Sequence, residues 1–203
     1  MHQPGVKWNL ISDCRLHGQH RKWILDSNIP VGLRLRFFDA VVSPGGLYSC
    51  AVLAFNNDEL ERFDIVQRKM LRRIVGWRRI QGEDWECTMR RMKSRVQRAL
   101  EMHAVRKWSR RIMSSRWNYA LHVNFTDKSA WTKIVCDWNP LDHPIEGLLA
   151  SRSRGRPRTR WDDDLHFYCQ EELDLNSWTE LHAQSFSILK ERENDFIEYC
   201  FEC

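Results

Sequence analysis

Apolar positions along this chain recur mostly at intervals of three and four, the period of helices rather than strands. The clearest run is Leu60, Phe63, Val66, Met70, Ile74 and Trp77, widened by Leu71 and Val75. Arg62, Lys69, Arg72 and Arg73 occupy the other half of that surface. Asn56-Asn57-Asp58-Glu59 supplies an N-cap and first-turn acid, and Gly76 stops the pattern, so a helix is predicted over 57–76. Trp85, Met89, Met92, Val96, Leu100, Ala104, Trp108 and Ile112 carry the period across 83–115 without Gly or Pro. A run that long implies two helices or one bent helix. A short helix is expected over 129–138, with Trp131, Ile134, Val135 and Trp138 on one side. An acidic amphipathic helix is expected over 178–199, carrying Leu181, Phe186, Leu189, Phe196 and Ile197.

Two stretches are less clear. Residues 31–42, VGLRLRFFDAVV, fit helix or strand, and Ser43-Pro44-Gly45-Gly46 reads as a break after them. The following LYSCAVLAF reads as a short run buried deeply in either form. From 139 to 160, Pro140, Pro144, Gly147, Gly155 and Pro157 predict irregular chain, after which Asp162-Asp163-Asp164 would open a helix at its positive end. The expected fold is mainly α: a small helical bundle, an irregular basic linker and C-terminal helices. The divisions drawn are 1–56, 57–139, 140–160 and 161–203.

Composition adds limits. At 203 residues, 42% hydrophobic and 29% charged, the chain is globular rather than disordered. No stretch is long and apolar enough to span a membrane, and the first residues lack the pattern of a secretion signal. Seven scattered cysteines suit a reduced intracellular protein, with nucleus or cytoplasm left open. Ten tryptophans demand a core or a stacking partner; those at 85, 108, 131 and 138, with Met89 and Met92, are assigned to core by their spacing.

Charge changes the picture most. Residues 60–116 carry 17 Lys/Arg against 6 Asp/Glu, whereas residues 161–203 carry 2 against 12. Between them, residues 151–160 hold five arginines and no acid. Such blocks favour a nucleic-acid partner over a membrane, because no basic stretch carries a long uncut apolar face. In Arg152, Arg154, Arg156, Arg158 and Arg160 the alternation, kept extended by Gly155 and Pro157, would let guanidinium groups follow a phosphate backbone, with Trp161 stacking on a base. Arg68, Lys69, Arg72, Arg73, Arg78 and Arg79 are the second candidate set. The competing reading pairs these cations with the acidic tail inside the fold.

Specific strings then carry a resemblance. Leu35-Arg36-Phe37-Phe38-Asp39-Ala40-Val41-Val42-Ser43-Pro44 with Leu47-Tyr48, the helix text Gln67-Arg68-Lys69-Met70-Leu71-Arg72-Arg73-Ile74-Val75-Gly76-Trp77, and the box Arg154-Gly155-Arg156-Pro157-Arg158-Thr159-Arg160-Trp161-Asp162-Asp163-Asp164-Leu165 resemble the thumb and downstream region of LINE-type (non-LTR) retrotransposon reverse transcriptases. The likeness runs from about residue 20 to residue 198. Relatives follow Leu-Tyr with Gly and an acidic-aromatic patch, where this chain has Ser49-Cys50-Ala51-Val52; Leu121 stands before His122-Val123 where a glycine is commoner. The resemblance implies a thumb that holds a template-primer duplex or element RNA, cut off from the fingers and palm of the parent polymerase.

Catalysis is not expected. Two-metal polymerisation needs an aspartate on a strand and an Asp-Asp pair on a hairpin, and no such hairpin is legible. No cofactor is expected. Cys14, His17 and His20 offer three metal ligands and Cys200 with Cys203 two; zinc wants four at known spacings, so no metal is assigned while the clusters stay open. The reading is therefore a non-catalytic nucleic-acid-binding piece of a reverse transcriptase. The alternative is an interaction protein, or the product of a decayed gene, without nucleic-acid activity.

Overall fold

A computed structural model describes residues 20–76, 78–127, 131–132 and 160–202. The described chain is mainly helical, and no strand occurs among these residues. The α-helices are α1 (Arg21–Leu25), α2 (Val31–Phe37), α3 (Ser43–Gly46), α4 (Asn57–Val75), α5 (Trp85–Met102), α6 (Trp108–Phe125), α7 (Asp163–Glu172), α8 (Phe186–Glu191) and α9 (Glu193–Glu202). The chain packs as two units, one of Met1–Ser49 with Phe55–Ile112, the other of Cys50–Ala54 with Met113–Cys203. Packing thus divides the chain elsewhere than composition does: 21–49 joins α4, and most of α6 joins the acidic tail.

In the first unit, α4 forms where its pattern predicts. Asn56 Oδ1 accepts the Glu59 N–H at 2.8 Å and Glu59 Oε2 accepts the Asn56 N–H at 3.0 Å, a reciprocal capping box. Leu60, Phe63, Val66, Met70, Leu71, Ile74 and Val75 are buried, and Gly76 ends the helix. Trp77 lies outside the described residues. The 31–42 segment is helical: α2 runs into a wide turn in which the Ser43 N–H reaches back to the Phe38 carbonyl. Ser43-Pro44-Gly45-Gly46 does not break the chain as expected but continues it as α3; Pro44 has no N–H to give to the preceding turn, and the Asp39 carbonyl there accepts from Arg111 Nη1 at 3.0 Å instead.

Buried polar side chains on these helices hold the ends of others. Arg34 donates to the carbonyls of Ile29 at 2.9 Å and Ile74 at 2.7 Å, so one guanidinium satisfies the C-terminal end of α4. On α4, Asp64 accepts from the Ser109 N–H at 2.9 Å and hydroxyl at 2.8 Å, and Gln67 accepts from the Trp108 N–H at 3.1 Å. Two α4 side chains therefore cap α6 from another helix, where a carboxylate also meets the positive end of the helix dipole. The indole of Trp108 donates to Ser43 Oγ at 2.9 Å. Gly32 is held close to His103; a Cβ there would meet the imidazole at 2.7 Å.

The 83–115 pattern resolves into two helices, broken at 103–107. The Val105 N–H bonds the Leu100 carbonyl at 3.1 Å and the Ala104 N–H bonds that of Glu101 at 3.3 Å, with Ala104 at φ 51°. This is a Schellman ending with alanine in the position glycine usually takes.

The second unit has an aromatic core. Trp117 stacks on Phe196 at 5.2 Å and meets the edge of Tyr168 at 5.6 Å, while its indole donates to the Leu189 carbonyl at 3.0 Å. Leu165, Leu181, Leu189 and Ile197 complete it. Asp163 and Asp164 open α7 as expected, with Asp162 in the N-cap position. The single helix expected over 178–199 is not found: a 3-10 turn spans Trp178–Ala183, and α8 and α9 follow. Gln184 turns extended at φ −100°, ψ 162°, and Ser185 starts α8 from a β conformation.

Two further expectations fail on burial. Of the 47–55 run, Cys50 is buried but Tyr48 is 84% exposed, since Ser49 at φ 63° and a single 3-10 turn alternate its residues in and out. Trp108 and Met92 are core, but Trp85 is 59% and Trp131 79% exposed. Trp85 is the first residue of α5, ahead of the buried Thr88, Met92 and Val96. Trp138 lies outside the described residues, as do the rest of 129–138 beyond 131–132.

Candidate nucleic-acid interface

The cations singled out from sequence fall into three places. Arg68, Lys69, Arg72 and Arg73 lie within the last two turns of α4; Lys69 and Arg73 are exposed and Arg68 and Arg72 half-buried. They occupy about 8 Å of helix axis, against 3.4 Å per phosphate along one strand of a duplex. Arg78 and Arg79, both exposed, begin the turn from α4 to α5. Arg152, Arg154, Arg156 and Arg158 lie outside the described residues.

Arg160 and Trp161, the last residues of the box, belong to the second unit. Arg160 Nε lies 3.2 Å from Asp162 Oδ1, and its N–H donates to Asp163 Oδ2 at 2.7 Å. Trp161 is half-buried, edge-on to Tyr119 at 5.6 Å and Trp178 at 5.5 Å. The aspartates that follow are structural in their contacts. Asp162 Oδ2 accepts the Trp178 indole N–H at 3.1 Å, and Asp164 pairs with Arg116. The Arg116 side chain is 1% exposed and also donates to the Leu53 carbonyl at 2.8 Å. Burial lowers the pKa of this guanidinium, and the Asp164 carboxylate opposes the fall.

The α4–α5 turn is braced. Glu83 accepts from Arg91 Nε at 2.9 Å and Nη2 at 2.8 Å and from the Thr88 hydroxyl at 2.7 Å. Arg91 Nη2 also donates to the Arg78 carbonyl at 2.7 Å, which ties the arginine-bearing strand of the turn to α5. Arg91 and Thr88 hold the Glu83 carboxyl down at about 2, so it stays ionised and engaged. Gly82 at φ 81° takes the left-handed position while the Glu83 N–H closes on the Ile80 carbonyl at 3.1 Å.

Sequence reading missed Lys93, Arg95 and Arg98, exposed on α5; Lys93 and Arg95 flank the buried Met92–Val96 stripe and Arg98 lies opposite it. Their signal was the excess of cations in 60–116, read as a block rather than helix by helix. Within the first unit, none of Arg68, Lys69, Arg73, Arg78, Arg79, Lys93, Arg95 and Arg98 forms an ion pair with a described carboxylate. Arg90 and Arg111 do, with Glu86 at 2.9 Å and Asp39 at 2.5 Å. No group of three or more His, Cys, Asp or Glu positioned for a metal occurs among the described residues. Cys14, His17 and Cys203 lie outside them. No described helix is long and apolar enough to cross a membrane.

Comparison with family models, with curated proteins and with solved structures finds no match.

Proposed function

We propose that this chain binds nucleic acid through its phosphate backbone, without chemistry of its own, as the thumb-like region of a LINE-type reverse transcriptase would. The observation that supports this reading is the set of cations on α4, the following turn and α5 that have no acidic partner among the described residues of their unit. Eight positive side chains on one compact unit repel one another unless an anion compensates them. The likeness of the Gln67–Trp77 string to a thumb helix makes a template-primer duplex or element RNA the first candidate partner. The placement of Asp162–Asp164 at a helix start, with Asp164 paired to Arg116, supports leaving them out of any metal-dependent polymerisation.

The test is a salt titration of binding to a labelled RNA–DNA hybrid. Affinity should fall steeply with salt, and replacing Arg68, Lys69, Arg72 and Arg73 together with glutamine should reduce the slope by roughly 2–4 units and weaken all sequences alike. Primer extension with Mg²⁺ and deoxynucleotides should stay at background. Binding that is absent at low salt, or that keeps its slope in the quadruple variant, would reject the reading.

A further inference from the structure

Glu83 is an acid among the cations of α4, the turn and α5. Residues 78–82 of that turn are all exposed, and a Cβ added at Gly82 would meet nothing within 4 Å, so packing does little to hold this stretch of chain. Within it the Glu83 N–H closes on the Ile80 carbonyl at 3.1 Å. Among the described residues, the hydrogen bond that reaches Arg78 and Arg79 is the one from Arg91 Nη2 to the Arg78 carbonyl at 2.7 Å. Glu83 aims that guanidinium, accepting from its Nε at 2.9 Å and its Nη2 at 2.8 Å. The carboxylate is fixed in turn by the hydroxyl of Thr88, a buried residue of α5, at 2.7 Å. Arg91 thus spends Nε and Nη2 inside the protein, whereas no described carboxylate of the unit pairs with Arg78 or Arg79.

Two arginines on an unpacked turn lose freedom when they close on phosphates, and that cost falls when the backbone carrying them is already fixed. A planar guanidinium can bridge two acceptors at once, as Arg91 does here, where an ammonium is a single point of charge. We propose that Glu83 and Arg91 are positioning residues for nucleic-acid binding: together they hold the backbone from which Arg78 and Arg79 reach adjoining phosphates, and neither touches the nucleic acid. This rests on the phosphate-binding reading above and deepens it, because a negative side chain within the basic surface then promotes the binding of a polyanion. A surface that worked by summed charge alone would gain from losing Glu83, since the acid goes and Arg91 is left uncompensated. The two mechanisms predict opposite signs for one substitution.

The experiment uses the full chain, fluorescence anisotropy and a labelled RNA–DNA hybrid over a range of salt concentrations. Glu83→Ala should weaken binding about threefold to tenfold with no fall in the salt slope, because the slope counts phosphates neutralised and their number is unchanged. Arg78→Gln with Arg79→Gln should lower the slope by about 1.4–1.8 units, at about 0.7–0.9 per phosphate. In that double variant Glu83→Ala should weaken binding no further, since the groups it positions are gone. Arg91→Lys keeps the charge but cannot bridge Glu83 and the Arg78 carbonyl, so it should weaken binding by a similar factor. It decides the outcome if Glu83→Ala melts below the assay temperature. Tighter or unchanged binding by Glu83→Ala overturns the inference and leaves charge-driven binding standing. An equal loss in the original chain and in the Arg78 and Arg79 double variant also overturns it, because the effect then does not pass through those arginines. Absence of binding by the unsubstituted chain rejects both readings.

Discussion

Individual side chains in this protein divide sharply by environment, and the cysteines show it most simply. Cys50 and Cys169 are buried, and burial pushes their thiols up to about 11 and about 12. Cys87 is exposed on α5. The thiolate is the reacting form, so a thiol held neutral and out of solvent is inert. Brief alkylation of the native protein at pH 8, followed by peptide mass spectrometry, should label Cys87 and leave Cys50 and Cys169 unmodified until denaturant is added. Labelling of Cys169 at the rate of Cys87 would contradict the packing of α7. The same contrast explains which residues could be read from sequence. Trp108 and Met92 lie in the middle of apolar stripes and are buried as their spacing predicts. Asp64, Gln67 and Arg34 are equally buried, yet nothing in their spacing marks them. Their partners are backbone groups 40 or so residues away at helix ends, which only the assembled unit brings near.

At the scale of elements, α4 was legible because propensity, cap, stripe and stop all agree over one segment. The break between α5 and α6 was not legible at its site. A helix end with Gly is read at once, but here Ala104 takes the left-handed position at φ 51°. An alanine there is strained by roughly 1–2 kcal/mol, partly offset by the smaller freedom it loses on folding. Ala104→Gly should therefore stabilise the protein by about 0.5–1 kcal/mol, read as a rise in the urea midpoint with an unchanged slope. A fall in the midpoint would mean that the turn is not in this conformation. The C-terminal segment failed in the opposite way. Leu181, Leu189, Phe196 and Ile197 keep a helical spacing across residues that the fold breaks into three pieces, because each piece turns its apolar side to the same core around Trp117 and Tyr168. Periodicity reported the burial of these four, missed that Phe186 of the same stripe is 49% exposed, and concealed where the chain turns. The candidate site was half legible: the cations of α4 and the turn were named, but Lys93, Arg95 and Arg98 were read only as part of a charged block, because no resemblance or spacing singled them out.

For the whole molecule the question is where the charge blocks find compensation. The chain is +5 overall, with 17 cations against 6 acids over 60–116 and 12 acids against 2 cations over 161–203. If the blocks neutralised each other inside the fold, added salt would screen an attraction and lower the melting temperature. If the basic surface is left open for a polyanion, each block mainly repels itself, and screening that repulsion raises it. Several acids of the tail already have cations of their own unit, Asp162 with Arg160, Asp164 with Arg116 and Glu193 with Lys190, which favours the second case. The Debye length falls from about 30 Å at 0.01 M to about 10 Å at 0.1 M ionic strength, so exposed charges spaced along two helices feel the change. Melting at 0.01 M and 0.2 M sodium chloride should show the higher temperature in the higher salt. Single-stranded RNA added at 0.01 M should raise the melting temperature further, because a ligand of the folded state stabilises it in proportion to the logarithm of its free concentration over Kd. That second rise should vanish at 0.2 M, where counterion release no longer drives binding. A melting temperature that falls with salt and ignores RNA would place the compensation inside the protein, and the acidic tail would then be the partner of the basic helices.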